Sequence, residues 1–104
     1  MKYTYDDKFG YIEYFKNNEK QIIWLTKIEN ELFKCFYNND KQTHEELGEA
    51  IYNTKEKALY MSALRQHIVK LNKKIKAIGR IANLRGIGYK FFERKTIKWN
   101  ITKA

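Results

Sequence analysis

Between Lys57 and Lys76, apolar residues fall at Leu64, Ile68, Leu71 and Ile75, and after Gly79 the period changes. The first spacing is i, i+4, i+7, i+11, one buried stripe on a long helix. The second is period two, with Ile81, Asn83 and Arg85 alternating with Ala82 and Leu84, as in a strand. Tyr89–Phe92 reads as a further strand, and Arg85-Gly86-Ile87-Gly88 lies between the two. Glycine takes positive φ without steric cost, so the paired glycines predict a tight hairpin turn. A long amphipathic helix must therefore pack beside a hairpin. At about 100° per residue, Ser62, Gln66, Val69 and Lys73 fall opposite the apolar stripe, flanked by Arg65, Lys70 and Lys76.

The upstream pattern supplies what the stripe packs on. Residues 3–25 read as β-structure: a short strand Tyr3–Tyr5, a turn at Asp6-Asp7, then YIEYF and QIIWL joined through Asn17-Asn18-Glu19-Lys20. Thr26 with Glu29 forms a capping box that opens a helix, and Ile28, Leu32 and Phe36 give it one apolar face until Asn38-Asn39-Asp40. Thr43 with Glu46 opens a second helix in the same way, with Leu47, Ala50 and Ile51 as its apolar face. Gly48, unfavourable inside a helix, points either to a closely approaching neighbouring helix, the favoured reading, or to an exposed position. The second and third helices, joined around Asn53–Glu56, form a helix-turn-helix-like pair, and the hairpin is its wing. The fold class is α+β, a winged helix-turn-helix in one domain spanning 1–104. Its parts are N-terminal strands (1–25) in a small antiparallel sheet, three helices (26–76), a wing hairpin (77–92) and a C-terminal extension (93–104). Thr96–Ile101 leaves open a further short strand or a tail.

Charge then narrows the function. Residues 1–56 carry 8 Lys/Arg and 11 Asp/Glu, whereas residues 57–104 carry 13 and 1. From Lys57 to Phe92, 36 residues, there is no acidic side chain. Solvated surfaces mix both signs, so this stretch points to a polyanionic partner. It covers the third helix and the hairpin together, and a helix-turn-helix lays its second helix in the major groove. Candidate DNA contacts are Ser62, Arg65, Gln66, Val69, Lys70, Lys73, Asn83 and Arg85. No apolar run approaches a membrane span and no leader pattern opens the chain. Charge alone leaves an anionic membrane surface open, but the third helix lacks a bulky exposed apolar face, so a membrane partner is not expected. The single cysteine, Cys35, fits a reducing compartment and a cytoplasmic location, and reads as a core residue. Trp24, Phe33, Phe36 and Tyr89 read as core aromatics. Neither His44 nor His67 has ligand partners at metal spacing. Glu46 is committed to capping and Glu45 to solvent. With no phosphate loop and no nucleophile–base arrangement, the expectation is no enzyme, no metal and no cofactor.

The segments LTKIENELFKCF, THEELGEAIY, LRQHIVKLNKKI and NLRGIGYKF, in this order, resemble the OmpR/PhoB-type winged-helix DNA-binding domain, the effector half of many bacterial response regulators. RGIGYKF is similar to that family's R-G-x-G-Y-x-F wing signature. HIVKLNKKI is similar to its recognition-helix pattern H-I-x-x-L-R-K-K-[LI]. The resemblance implies sequence-specific double-stranded DNA binding by a transcription regulator. The helix around Arg65–Lys73 would lie in the major groove, with Arg85 in an adjacent minor groove and Asn83 on the backbone nearby. It further implies a loop, residues 53–57, that touches RNA polymerase in some members, and binding to paired or tandem half-sites. The family often has Arg where this chain has Val69 and Asn72; Val69 suits a thymine methyl, and Asn72 a phosphate or nothing. Tyr52 stands at the family's tryptophan, and no receiver domain accompanies the sequence. The competing readings are a winged-helix protein–protein module and a nonspecific nucleic-acid-binding architectural protein.

Overall fold

The computed structural model describes residues 2–94; Thr96–Ile101 lies outside them. Strands β1 (Tyr3–Asp6), β2 (Tyr11–Lys16) and β3 (Glu19–Trp24) form an antiparallel sheet in that order. Lys16 pairs directly with Glu19, so the connecting loop is only Asn17-Asn18. Both asparagines take positive φ, 53° and 66°, which matches the twist of a two-residue hairpin. At the other turn the Asp6 carboxylate accepts from the Lys8 and Phe9 backbone N–H groups. The register places Ile12 opposite Ile23, and Ile12 is buried. Trp24 pairs with Tyr11 on the alternate face and is 63% exposed. The core role expected for Trp24 is thus overturned by strand parity: neighbours on a strand face opposite sides.

Helix α1 (Lys27–Asn38) begins with the expected box. The Glu29 N–H donates to Thr26 Oγ1 at 3.2 Å, and the Thr26 N–H donates to Glu29 Oε1 at 2.8 Å. Leu32, Phe33 and Phe36 face the core. A strand with no apolar signature follows, β4 (Lys41–Thr43), whose Gln42 is buried. The Gln42 amide donates to the carbonyls of Cys35 and Asn39, satisfying the end of α1.

Thr43 caps α2, which is α-helical only over His44–Leu47 before a π-helical turn, Gly48–Tyr52. That wider turn leaves Ala50 exposed, so it does not join Leu47 in an apolar face as the period of 3.6 suggested. A Cβ on Gly48 would lie 2.5 Å from the Tyr60 ring, which accounts for glycine there. Helix α3 (Lys57–Ile75) buries Tyr60, Leu64, Ile68, Leu71 and Ile75 against α1, Ile78, Ile81 and Phe91 in one core cluster.

Strands β5 (Gly79–Leu84) and β6 (Gly88–Glu93) make the wing, and β4 joins them in the order β4-β6-β5. The two glycines of the wing differ in role. Gly86 sits in the turn with φ +75°, and the Ile87 N–H donates to the Leu84 carbonyl. Gly88 is not a turn glycine: it pairs with both Leu84 and Thr43, and a Cβ there would lie 2.0 Å from the Gln42 carbonyl oxygen. The paired-glycine expectation therefore holds for Gly86 and fails for Gly88, whose smallness admits β4.

Candidate nucleic-acid interface

The outward side of α3 is a consequence of its stripe. With Leu64, Ile68 and Leu71 buried, residues half a turn away must face solvent. Arg65, Gln66, Val69, Lys70 and Lys73 line one shallow concavity on that side. Ser62 is exposed on the same face, nearer the start of the helix and outside the concavity's lining. Asn83 is exposed on β5 opposite Tyr89, and Arg85 is exposed at the wing turn. Val69, at 54% exposure, is an apolar side chain set among cations. Ile87 is also exposed at the wing tip, while its backbone is occupied: the His44 N–H donates to the Ile87 carbonyl.

Among the described residues, Arg65, Lys70, Lys73 and Arg85 form no ion pair with a carboxylate. The local field registers on His44. Burial first, then the Lys57 and Arg65 cations, holds its imidazole below the ordinary histidine range. His67 turns from the exposed face toward Tyr52, sharing a 2.8 Å hydrogen bond through Nδ1, and the two rings stack.

Two neighbours on α3 leave this surface. The Lys74 ammonium lies 2.6 Å from Glu29 Oε1 and donates to the Trp24 carbonyl at 2.9 Å. Burial would raise the Glu29 carboxyl; the Lys74 and Thr26 hydrogen bonds outweigh it and hold the pKa below its usual value. Lys74 is thus a partly exposed bridge from α3 to α1, its ammonium turned to Glu29 and the Trp24 carbonyl. Asn72, expected to meet a phosphate or nothing, has a partner within the chain: its amide exchanges two hydrogen bonds with the backbone of Ile81. Sequence spacing gave no sign of either partnership, because Glu29 and Lys74 lie 45 residues apart and Asn72 meets Ile81 only across the helix-to-strand turn.

The loop before α3 is closed by its own bonds. Asn53 takes φ 56°, the Thr54 N–H donates to the Gly48 carbonyl, and the Glu56 N–H donates to Thr54 Oγ1. Lys55 pairs with Glu49 at 3.8 Å, and Leu59 just beyond is strongly exposed.

A family model described as "Transcriptional regulatory protein, C terminal" matches residues 18–91. Among solved structures, the DNA-binding domain of the response regulator AdeR, in a complex with an intercistronic region, is similar. The two share 20% sequence identity over 86% of this chain and 92% of that chain, with a TM-score of 0.66. No curated protein matches the chain.

Proposed function

Because the chain belongs to the family of transcriptional regulatory protein C-terminal domains, the OmpR/PhoB-type effectors, we propose that it binds double-stranded DNA sequence-specifically. Helix α3 enters the major groove, and Arg85 enters the adjacent minor groove from the wing. The carrying observation is that the stretch from Lys57 to Phe92 holds no acidic side chain, and that its exposed Arg65, Lys70, Lys73 and Arg85 form no ion pair with a carboxylate among the described residues. Arg65, Lys70, Lys73 and Arg85 neutralise phosphates or reach base edges. Ser62 and Gln66 supply hydrogen-bonding groups, Val69 meets a thymine methyl, and Asn83 steadies the backbone beside the wing.

One module of this size contacts few base pairs, so paired or tandem copies on adjacent half-sites complete the recognition. The closed loop over residues 53–57, with Leu59 exposed beside it, offers RNA polymerase a rigid surface. This reading places the protein with the chromosome, in the cytoplasm. Among the described residues no helix is long and apolar enough to cross a membrane.

The test is a fluorescence titration of a selected duplex across a salt series. If all four cations neutralise phosphates, the slope in log Kobs against log salt reaches about −3.6, and it is shallower for each one that reads a base edge instead. Arg85→Ala weakens binding and flattens the slope by about one. Unchanged affinity and slope would remove the wing from the DNA. Absence of salt-dependent binding to any duplex would leave the protein–protein module as the reading.

A further inference from the structure

Arg85 and the α3 side chains can serve one site only if the wing is held at a set angle to the helix. Strand β5 is the outer strand of the β4-β6-β5 sheet, and no strand flanks its free edge among the described residues. At the middle of that edge, Ile81 presents an N–H and a C=O. Both are taken by Asn72 of α3: the Ile81 N–H donates to Asn72 Oδ1 at 2.8 Å, and Asn72 Nδ2 donates to the Ile81 carbonyl at 2.9 Å. A carboxamide carries one acceptor and one donor group side by side, so it pairs with a backbone as the next strand would. No other standard side chain of that length matches both groups. Asp offers two acceptors, and Leu offers neither.

Resting on the DNA-binding reading above, we propose that Asn72 is a positioning residue: it docks the wing strand on the recognition helix and so fixes where Arg85 stands relative to Arg65, Lys70 and Lys73. On the other side the wing is held by β4, through the Thr43–Gly88 pairing and the His44–Ile87 hydrogen bond. Asn72 is the matching anchor on the helix side. Arg85 is four residues along the strand from Ile81, about 13 Å at roughly 3.3 Å per residue. A tilt of about 10° at Ile81 carries Arg85 about 2 Å, well outside the tolerance of a hydrogen bond.

The experiment pairs a binding cycle with a distance measurement that needs no DNA. In the cycle, Arg85→Ala and Lys70→Ala are each measured in the parent and in Asn72→Ala, at a temperature where circular dichroism shows every variant folded. The expected result is that Arg85→Ala costs about tenfold in the parent and under twofold in Asn72→Ala. Lys70→Ala, on the helix itself, costs the same factor in both. An Arg85→Ala cost above twofold that is equal in the two backgrounds overturns the proposal.

In the free protein, nitroxides at Lys73→Cys and Ile87→Cys, with Cys35→Ser, report the helix-to-wing distance. Asn72→Ala broadens or shifts this distribution by about 2 Å. Asn72→Asp keeps the acceptor for the Ile81 N–H, loses the donor and gives an intermediate change. An unchanged distribution overturns the proposal whatever the DNA measurements show. A shifted distribution with no Arg85→Ala cost in the parent upholds the docking role and refutes instead the placement of the wing in DNA.

Discussion

Alanine at Gly88 is expected to destabilise the protein more than alanine at Gly86, although only Gly86 has a positive φ. At Gly86 a Cβ meets nothing within 4 Å, so the cost is backbone strain alone, about 1–2 kcal/mol. At Gly88 the Cβ would stand 2.0 Å from the Gln42 carbonyl oxygen and 2.7 Å from the Thr43 Cα. An ordinary carbon–oxygen contact is roughly 3.3 Å, so β4 must retreat by more than about 1 Å. Such a retreat takes backbone hydrogen bonds near 2.9 Å out of range. It also disturbs the buried Gln42 amide that satisfies the Cys35 and Asn39 carbonyls. Overpacking of this kind costs about 1–3 kcal/mol and each lost hydrogen bond about 1 kcal/mol, so the expected total is about 3 kcal/mol or more. Domains of this size are stable by only about 5–15 kcal/mol, which makes the difference easy to resolve. Urea unfolding of both variants, followed by circular dichroism at constant pH, measures it. A Gly88→Ala cost equal to or below that of Gly86→Ala would refute the assignment of Gly88 to strand approach and return it to the turn.

The Lys74–Glu29 bridge is structural, so Lys74→Met is expected to lose about 1–2 kcal/mol of stability, tempered by the partial exposure of Lys74. The same variant should change duplex affinity less than twofold, unlike Lys70→Ala; a loss matching Lys70→Ala in the titration would place Lys74 on the DNA. Because the Glu29 carboxyl is held below its ordinary value in the folded state, its contribution is present above the unfolded pKa and lost as pH falls through the folded one. The stability gap between the parent and Glu29→Gln should accordingly shrink as urea titrations move from neutral pH into the acid range, and a constant gap would contradict the assignment. Burial first, then the Glu31 carboxylate, raises the Cys35 thiol, so alkylation by iodoacetamide at pH 8 should run slower than for a free cysteine and accelerate in urea.

The long-range order of the chain was legible where local chemistry acts on its own neighbours. Thr26 and Thr43 announce their helices because a capping box closes within four residues. Leu64, Ile68, Leu71 and Ile75 announce α3 and, by subtraction, its outward face. The acid-free stretch and RGIGYKF then join that face to the wing. Strand β4 was not legible. Its three residues, Lys-Gln-Thr, carry no apolar pattern, and they form a strand only because Gly88 lets them approach β6.

Apart from β4 and the π-helical turn, sequence alone therefore determined the kinds of elements, their order and the acid-free stretch that two of them share, because periodicity, capping and charge are properties of adjacent residues. Helical spacing set Lys73 opposite the core stripe and kept Asn72 and Lys74 out of the candidate contacts; tertiary structure alone decided what those two side chains bind. The fold turns Lys74 to a buried carboxylate and Asn72 to the edge of β5, and leaves Lys73 outside. A buried charge and an unpaired strand edge each demand a partner, and only the packed chain brings that partner within reach.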